Sequence, residues 1–409
     1  MAEIVPFKGV LYNMSKVSGE DVIAPPYDII APEYKEKLYS KSPYNSVRID
    51  FGKELEGDNE LQNKYTRAAN NLNSWLKDGI LHGSKTAAFY AYEVNYRIKG
   101  SRKRLRGFFS LVRLEELGRG IYPHECTHSK PKADRLNLLR TCRANISPIF
   151  SLYNSPEKKA SEIMNRVMLR KPYMEAKDSD GAVHRLWVVE AEEDIETIRD
   201  DLKGKPVFIA DGHHRYETAL EFKKEMNKSG GWDYVLMFLA NMSDEGLTIL
   251  PAHRLVKNLP ENPLDVLSEY FTVEILSAQD DITVALSGYE HAIGFCHRNS
   301  DKLYLLRHKG HKGAGLENIN PALKELDVTI LHELIFKKLL NITEVTYEMD
   351  TAETREMVRK GIYGGAFFLN PTEVKDVERV ALSGERMPPK STYFYPKLLT
   401  GMVMYKFND

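Results

Sequence analysis

The sequence predicts an α+β fold of mixed sheets with packed helices, and three observations carry that prediction. Apolar runs at 88–94 and 107–114 flank the turn-rich Lys99-Gly100-Ser101, the pattern of a strand pair. A β-then-α alternation follows in the centre, where 206–210 reads as a short buried strand and Arg215 to Asn227 as an amphipathic helix. Beyond Pro260, strands at 271–276, 292–296 and 303–306 precede a long helix over 321–340.

The remaining elements follow in chain order. Ala24-Pro25-Pro26-Tyr27-Asp28 is a rigid extended corner, because each proline fixes its own φ and restrains the residue before it. Leu61, Tyr65, Ala68, Ala69, Leu72 and Trp75 recur at helical spacing and predict a helix over 58–77. Asp178-Ser179-Asp180-Gly181 predicts a second hairpin leading into a strand at 184–189, and 234–240 is another strand. The stretch 387–400, rich in proline and tyrosine with little periodicity, is expected to wrap over the rest of the molecule. These elements divide the chain into an N-terminal α+β region (1–120), a central region (121–257) and a C-terminal α/β region (258–409).

With 409 residues and 42% hydrophobic content the chain can bury a large core, so extensive disorder is not expected. Its 57 basic and 58 acidic residues nearly cancel, with no basic stripe of the kind nucleic-acid binders carry. No apolar run is long enough to span a bilayer, and Met1 to Val10 lacks the pattern of a signal peptide. Three scattered cysteines (Cys126, Cys142, Cys296) argue against a disulfide framework. A cytoplasmic protein is the expectation, with no nucleic-acid or membrane partner.

The strongest chemical signal is Asp211-Gly212-His213-His214-Arg215. A buried strand ends, a glycine permits a sharp turn and a helix begins, which presents first-turn N–H groups, an arginine and two imidazoles around one point. Such a helix start attracts anions, Arg215 offers a bidentate fork for phosphate, and Asp211 offers a hard oxygen ligand for Mg2+. The bland alternative is that Asp211 caps the helix and the histidines satisfy loop carbonyls.

A second signal is His124-Glu125-Cys126-Thr127-His128, which matches the H-E-x-x-H pattern of zinc proteases. That pattern needs a helix, yet Pro123 precedes it and Pro131 follows closely. A loop displaying His124 and Glu125 before a helix at 132–143 is the better reading, with Glu125 suited to act as a general base. A surface dipole partner is its alternative. Lys132 and Arg135, in the basic start of that helix, are further phosphate-binding candidates. His253-Arg254 and Lys390-Ser391-Thr392 are candidates for lining a substrate cleft; a packed irregular tail is the alternative for the latter. No G-x-x-x-x-G-K-[ST] loop and no G-x-G-x-x-G loop occurs.

These segments, together with Ala144-Asn145-Ile146-Ser147-Pro148-Ile149-Phe150 and Leu250-Pro251-Ala252, resemble the family catalogued as domain of unknown function 1015, over nearly the whole chain. More distantly, the order His124-Glu125, Asp134-Arg135-Leu136, Asp211-Gly212-His213-His214-Arg215 is similar to free-serine kinases of the ParB/sulfiredoxin-like superfamily. That likeness implies a ParB/sulfiredoxin-like central region, with Glu125 (beside His124) and Asp211 catalytic. It also implies that Gly212, His213, His214 and Arg215 hold nucleotide phosphates and that Asp211 holds Mg2+. The expected reaction is phosphorylation of free L-serine to O-phosphoserine, with ATP or ADP as donor. The segment between the two motifs is longer here, through the hairpin at Gly181. Two other classes stay open: a nucleotide-binding ParB-like sensor without turnover, and sulfiredoxin-like redox chemistry at Cys126. A homodimer is compatible with the sequence.

Overall fold

Strands Phe89–Ile98 and Ser101–Arg113 form one long antiparallel hairpin, turning through Lys99 and Gly100, both at positive φ. A computed structural model describes residues 2–127, 129–277, 280–310 and 315–407. The chain divides into two units, the first comprising Met1–Pro123, Thr127–Thr248 and Pro396–Asp409, the second His124–Cys126 and Ile249–Tyr395.

In the first unit the long hairpin is the centre of a mixed sheet with nine strands among the described residues. Val183–Val189 and Met174–Lys177 extend it antiparallel on one side, as the Asp178–Gly181 turn predicts. Tyr234–Asn241 joins the other side antiparallel to Ser101–Arg113 and is itself parallel to Ile149–Tyr153. Val207–Asp211 lies antiparallel to Ile149–Tyr153 and parallel to the short edge strand Ile121–Tyr122. Tyr234–Asn241 is buried almost throughout, which is why its sequence is an unbroken apolar run rather than an alternation. The helices Ser129–Cys142 and His213–Met226 pack against each other.

The second unit is an antiparallel sheet of six strands among its described residues. In order they are Phe271–Leu276, Leu303–His308, Ala292–His297, Gly365–Phe368, His253–Val256 and Thr346–Glu348. Leu255, Leu286, Leu303, Leu305, Val358 and Phe368 fill its core.

Several boundaries depart from the sequence reading for local reasons. The first long helix begins at Lys64 rather than 58, because Asn63 caps it: its side chain accepts from the N–H groups of Tyr65 (2.9 Å) and Thr66 (3.1 Å), and Thr66 Oγ1 accepts from Asn63 N–H. The helix expected from 132 starts at Ser129, with Pro131 tolerated in the first turn, where its missing N–H is not needed. The single helix expected over 321–340 is broken. Pro321–Lys324 stops, Leu326 turns extended (φ −92°, ψ 125°) to bury its side chain, and the chain resumes at Asp327 into wider π-type turns over Ile330–Leu340. The boundary read at 120 falls inside the first unit, since strands from both sides of it share one sheet.

Candidate functional site

In the first unit Val207–Asp211 runs buried up to its last residue, and its pairing register shifts between Ile209 and Asp211. Such a bulge turns the strand end outward. Gly212 then adopts φ 99°, ψ 27°, a left-handed conformation that suits glycine, and a Cβ there would sit 3.0 Å from Arg215 Nε. The helix His213–Met226 starts at once, and Tyr216 N–H makes its bond to Gly212 O at 3.1 Å. The amides of the turn before Tyr216 therefore point out of the helix end, where the dipole favours negative charge. The sequence reading of a strand, a glycine turn and a helix start matches the structure here.

Asp211 sits among cations. Lys397 Nζ lies 2.7 Å from Asp211 Oδ2, and Arg215 NH2 lies 3.6 Å from Oδ1. All three side chains are mostly buried, at 13%, 21% and 12% exposure for Lys397, Asp211 and Arg215. Arg215 also donates through NH1 to the carbonyl of Pro148, which ties the turn to the Ile146–Phe150 segment. His213 is buried and His214 half-buried. Lys397 belongs to the proline- and tyrosine-rich tail, whose two lysines the sequence offers for an anionic ligand, but no local pattern links it to Asp211, 186 residues away.

Arg135, a phosphate-binding candidate, lines a small cavity together with Arg215 and is engaged by two carboxylates. It is 5% exposed, its NH1 donates to the carbonyl (2.9 Å) and carboxylate (3.1 Å) of Asp50, and its Nε and NH2 donate to Asp134 Oδ2. Its guanidinium lies 4.1 Å from the ring centre of Tyr27, from the proline-rich corner. Burial alone would raise the Asp134 carboxyl, but Arg135 and Lys64 outweigh that and hold it at about 2. The corner, the helix at 129–142 and the loop at Ser147 thus meet on one buried ion cluster. Lys132 pairs with Glu217 Oε2 at 3.1 Å, and Thr127 Oγ1 donates to the same oxygen at 2.6 Å.

In the second unit Glu125 makes a parallel bridge with Met387, and Met387 N–H donates to His124 O at 2.8 Å. Glu125 Oε1 accepts from Lys390 N–H at 2.9 Å, and His124 Nε2 is 2.8 Å from Thr392 Oγ1. His124 is buried, while Glu125 is part-exposed and Cys126 exposed. The described part of the H-E-x-x-H pattern is not helical, and His128 lies outside the described residues. Among the described residues no group of three or more His, Cys, Asp or Glu is placed to hold a metal ion. Ser391 is buried, with Oγ donating to Pro388 O.

His253 and Arg254, read as cleft-lining candidates, are 0% and 1% exposed. His253 Nε2 is 3.0 Å from Thr351 Oγ1, and its Nδ1 accepts from Leu369 N–H at 3.3 Å, which makes it a hydrogen-bonded core histidine. Cys142 and Cys296 are buried thiols, pushed up to about 12 by that burial.

Fold and turn together define an α+β protein whose strand-to-helix turn is suited to anions. Residues 4–329 match the family described as "Protein of unknown function (DUF1015)", and the chain belongs to that family. Among curated proteins none matches it. Among solved structures the chain is similar to a free serine kinase in complex with AMP, at 13% identity and TM-score 0.36, over 69% of this chain and 89% of that one. A mutant free serine kinase in complex with ADP is similar over 70% and 86%, at 13% identity and TM-score 0.37. SbnI with a C-terminal truncation, from Staphylococcus aureus, is similar over 73% and 82%, at 11% identity and TM-score 0.36. Among the described residues no helix is long and apolar enough to cross a membrane.

Proposed function

We propose that the chain is a nucleotide-dependent small-molecule kinase that phosphorylates free L-serine to O-phosphoserine, with ATP or ADP as donor. The observation that carries this reading is the Asp211–Arg215 turn: a bulged strand end, a left-handed glycine and a helix start, with Arg215 and Lys397 beside it. Phosphoryl transfer asks a protein for positioning and charge neutralisation more than for covalent chemistry. Backbone N–H groups, Arg215 and Lys397 supply donors for phosphate oxygens, and Gly212 leaves room for their approach. Glu125 is assigned the general base: it takes the serine hydroxyl proton as the oxygen attacks the terminal phosphorus and the bond to the departing nucleotide breaks.

A single carboxylate with substrate phosphates is a donor set that suits Mg2+, so Asp211 fits as its one protein ligand, and the ion would neutralise phosphate charge there. Asp211 already has Lys397 at 2.7 Å, so the lysine must yield or move to phosphate when the ion is bound.

The test is incubation of the purified chain with Mg2+, ATP or ADP, and serine, followed by phosphorus NMR. Phosphoserine is the expected product. Its absence with serine and with other small alcohols would overturn the kinase reading. Saturable nucleotide binding by calorimetry without product would identify the sensor class instead.

A further inference from the structure

Arg254 is a cation taken almost wholly out of water with no carboxylate in direct ion-pair contact among the described residues. It is 1% exposed, and its described hydrogen bonds go to neutral acceptors, while the Glu125 carboxylate acts on it through its field alone. Nε faces His332 Nε2 at 3.3 Å, NH1 donates to Ala252 O, and NH2 donates to the successive carbonyls of Pro389 (3.3 Å) and Lys390 (3.0 Å). The ring centre of Tyr347 lies 5.3 Å away. Burial pushes the guanidinium down to about 10. Burial, with the Arg254 charge beside it, pushes the His332 imidazole down to about 3, so His332 is the neutral acceptor that an arginine N–H requires.

Desolvating a charge is costly, and an apolar side chain of similar volume would fill the space at less cost. What arginine alone supplies is a rigid fork of donors that can fix several carbonyls at once. Here the fork reaches a turn that needs fixing. Lys390 holds φ 55°, in the left-handed region that costs a side-chain-bearing residue energy and persists only where its surroundings enforce it. Two carbonyls of this turn, those of Pro389 and Lys390, go to Arg254, and other groups around it go to the motif. Lys390 N–H holds Glu125 Oε1, Met387 N–H holds His124 O, and Thr392 Oγ1 meets His124 Nε2.

We propose that Arg254 is the positioning residue for His124 and Glu125, clamping the 388–392 turn that in turn sets both side chains. Its consequence for turnover rests on the reading of Glu125 as base; the clamp itself does not.

The test compares the full chain with Arg254→Met and Arg254→Lys by amide hydrogen exchange, alongside serine-kinase kinetics. In Arg254→Met, exchange at Lys390 and Met387 should quicken roughly 10- to 100-fold, while strand Gly365–Phe368 of the same unit keeps its protection. Arg254→Lys, which retains charge and some donors, should recover part of that protection. kcat should fall in the same order, with the nucleotide KM unchanged. Unchanged exchange at Lys390, or equal quickening across the whole unit, would overturn the clamp. If Arg254→Met does not fold, Arg254→Lys decides alone: selective quickening at the turn supports the clamp, and none refutes it. A parent without turnover would sink the kinase reading and leave the exchange result to judge Arg254 by itself.

Discussion

The two motifs are built in opposite ways. The Asp211–Arg215 turn grows from regular structure, with a paired strand behind it and a helix of fourteen residues ahead. The His124-Glu125 pair lies in an irregular stretch between the two-residue strand Ile121–Tyr122 and the helix Ser129–Cys142, and it is tied by single hydrogen bonds to an irregular turn, two of whose carbonyls a buried arginine holds. Regular elements fix a site by cooperative backbone pairing, whereas an irregular one depends on a few individually replaceable contacts. The first should tolerate losing one side chain without losing its shape; the second should not.

The largest effect is expected at Glu125. Glu125→Gln keeps size and packing but cannot take a proton, so serine-kinase kcat should drop about 10²–10⁴-fold with nucleotide affinity and melting temperature nearly unchanged. Full turnover would remove the base assignment. Next, Lys397→Met and Arg215→Ala should each weaken nucleotide binding by about 1.5–3 kcal/mol in calorimetry, while the helix at 213–226 stays formed by circular dichroism. Equal affinity would separate that residue from phosphate.

Acid separates the two regions as well. His332, held at about 3 against its ordinary 6.5, stays neutral in the folded chain while the unfolded chain takes up a proton, so stability falls as pH drops from 6.5 toward 3. Asp134, held at about 2 against 3.8, contributes stability that is lost only below that ordinary value, as pH falls through about 2. His332→Gln should flatten the first slope in pH-dependent melts and leave the second; an unaltered slope would show that His332 does not titrate as stated. The smallest effect belongs to Lys390→Gly. It relieves the left-handed backbone at the cost of a freer unfolded chain, and should shift stability by less than about 1 kcal/mol with the Glu125 contact kept.

The same contrast explains what the sequence revealed. The strand, glycine and helix start around Gly212 were legible because each rests on neighbours within a few residues, and the hairpins at 99–100 and 178–182 for the same reason. The roles of Arg135, Arg254 and Lys397 were not. Each depends on partners far along the chain: Asp50 for Arg135, the 389–390 carbonyls for Arg254, and Asp211 for Lys397. A basic residue in a motif looks the same whether its charge faces a ligand or is consumed inside the core. The break at Leu326 was hidden too, because helical spacing on both sides of it continued while burial of one leucine decided the backbone.

The closing stretch of the first unit has a consequence for the order of events in synthesis. Thr400 pairs with Ala24, Met404 with Val10, and Tyr405–Lys406 with Ala144–Asn145, so this unit is sealed by residues that leave the ribosome after all of 249–395. At ~5–20 residues per second, the nascent unit waits roughly seven to thirty seconds for them. Throughout that interval Ala144–Asn145 lacks its β partner and Asp211 lacks Lys397, which makes translation itself the timer that determines when the Asp211–Arg215 turn gains its last partner.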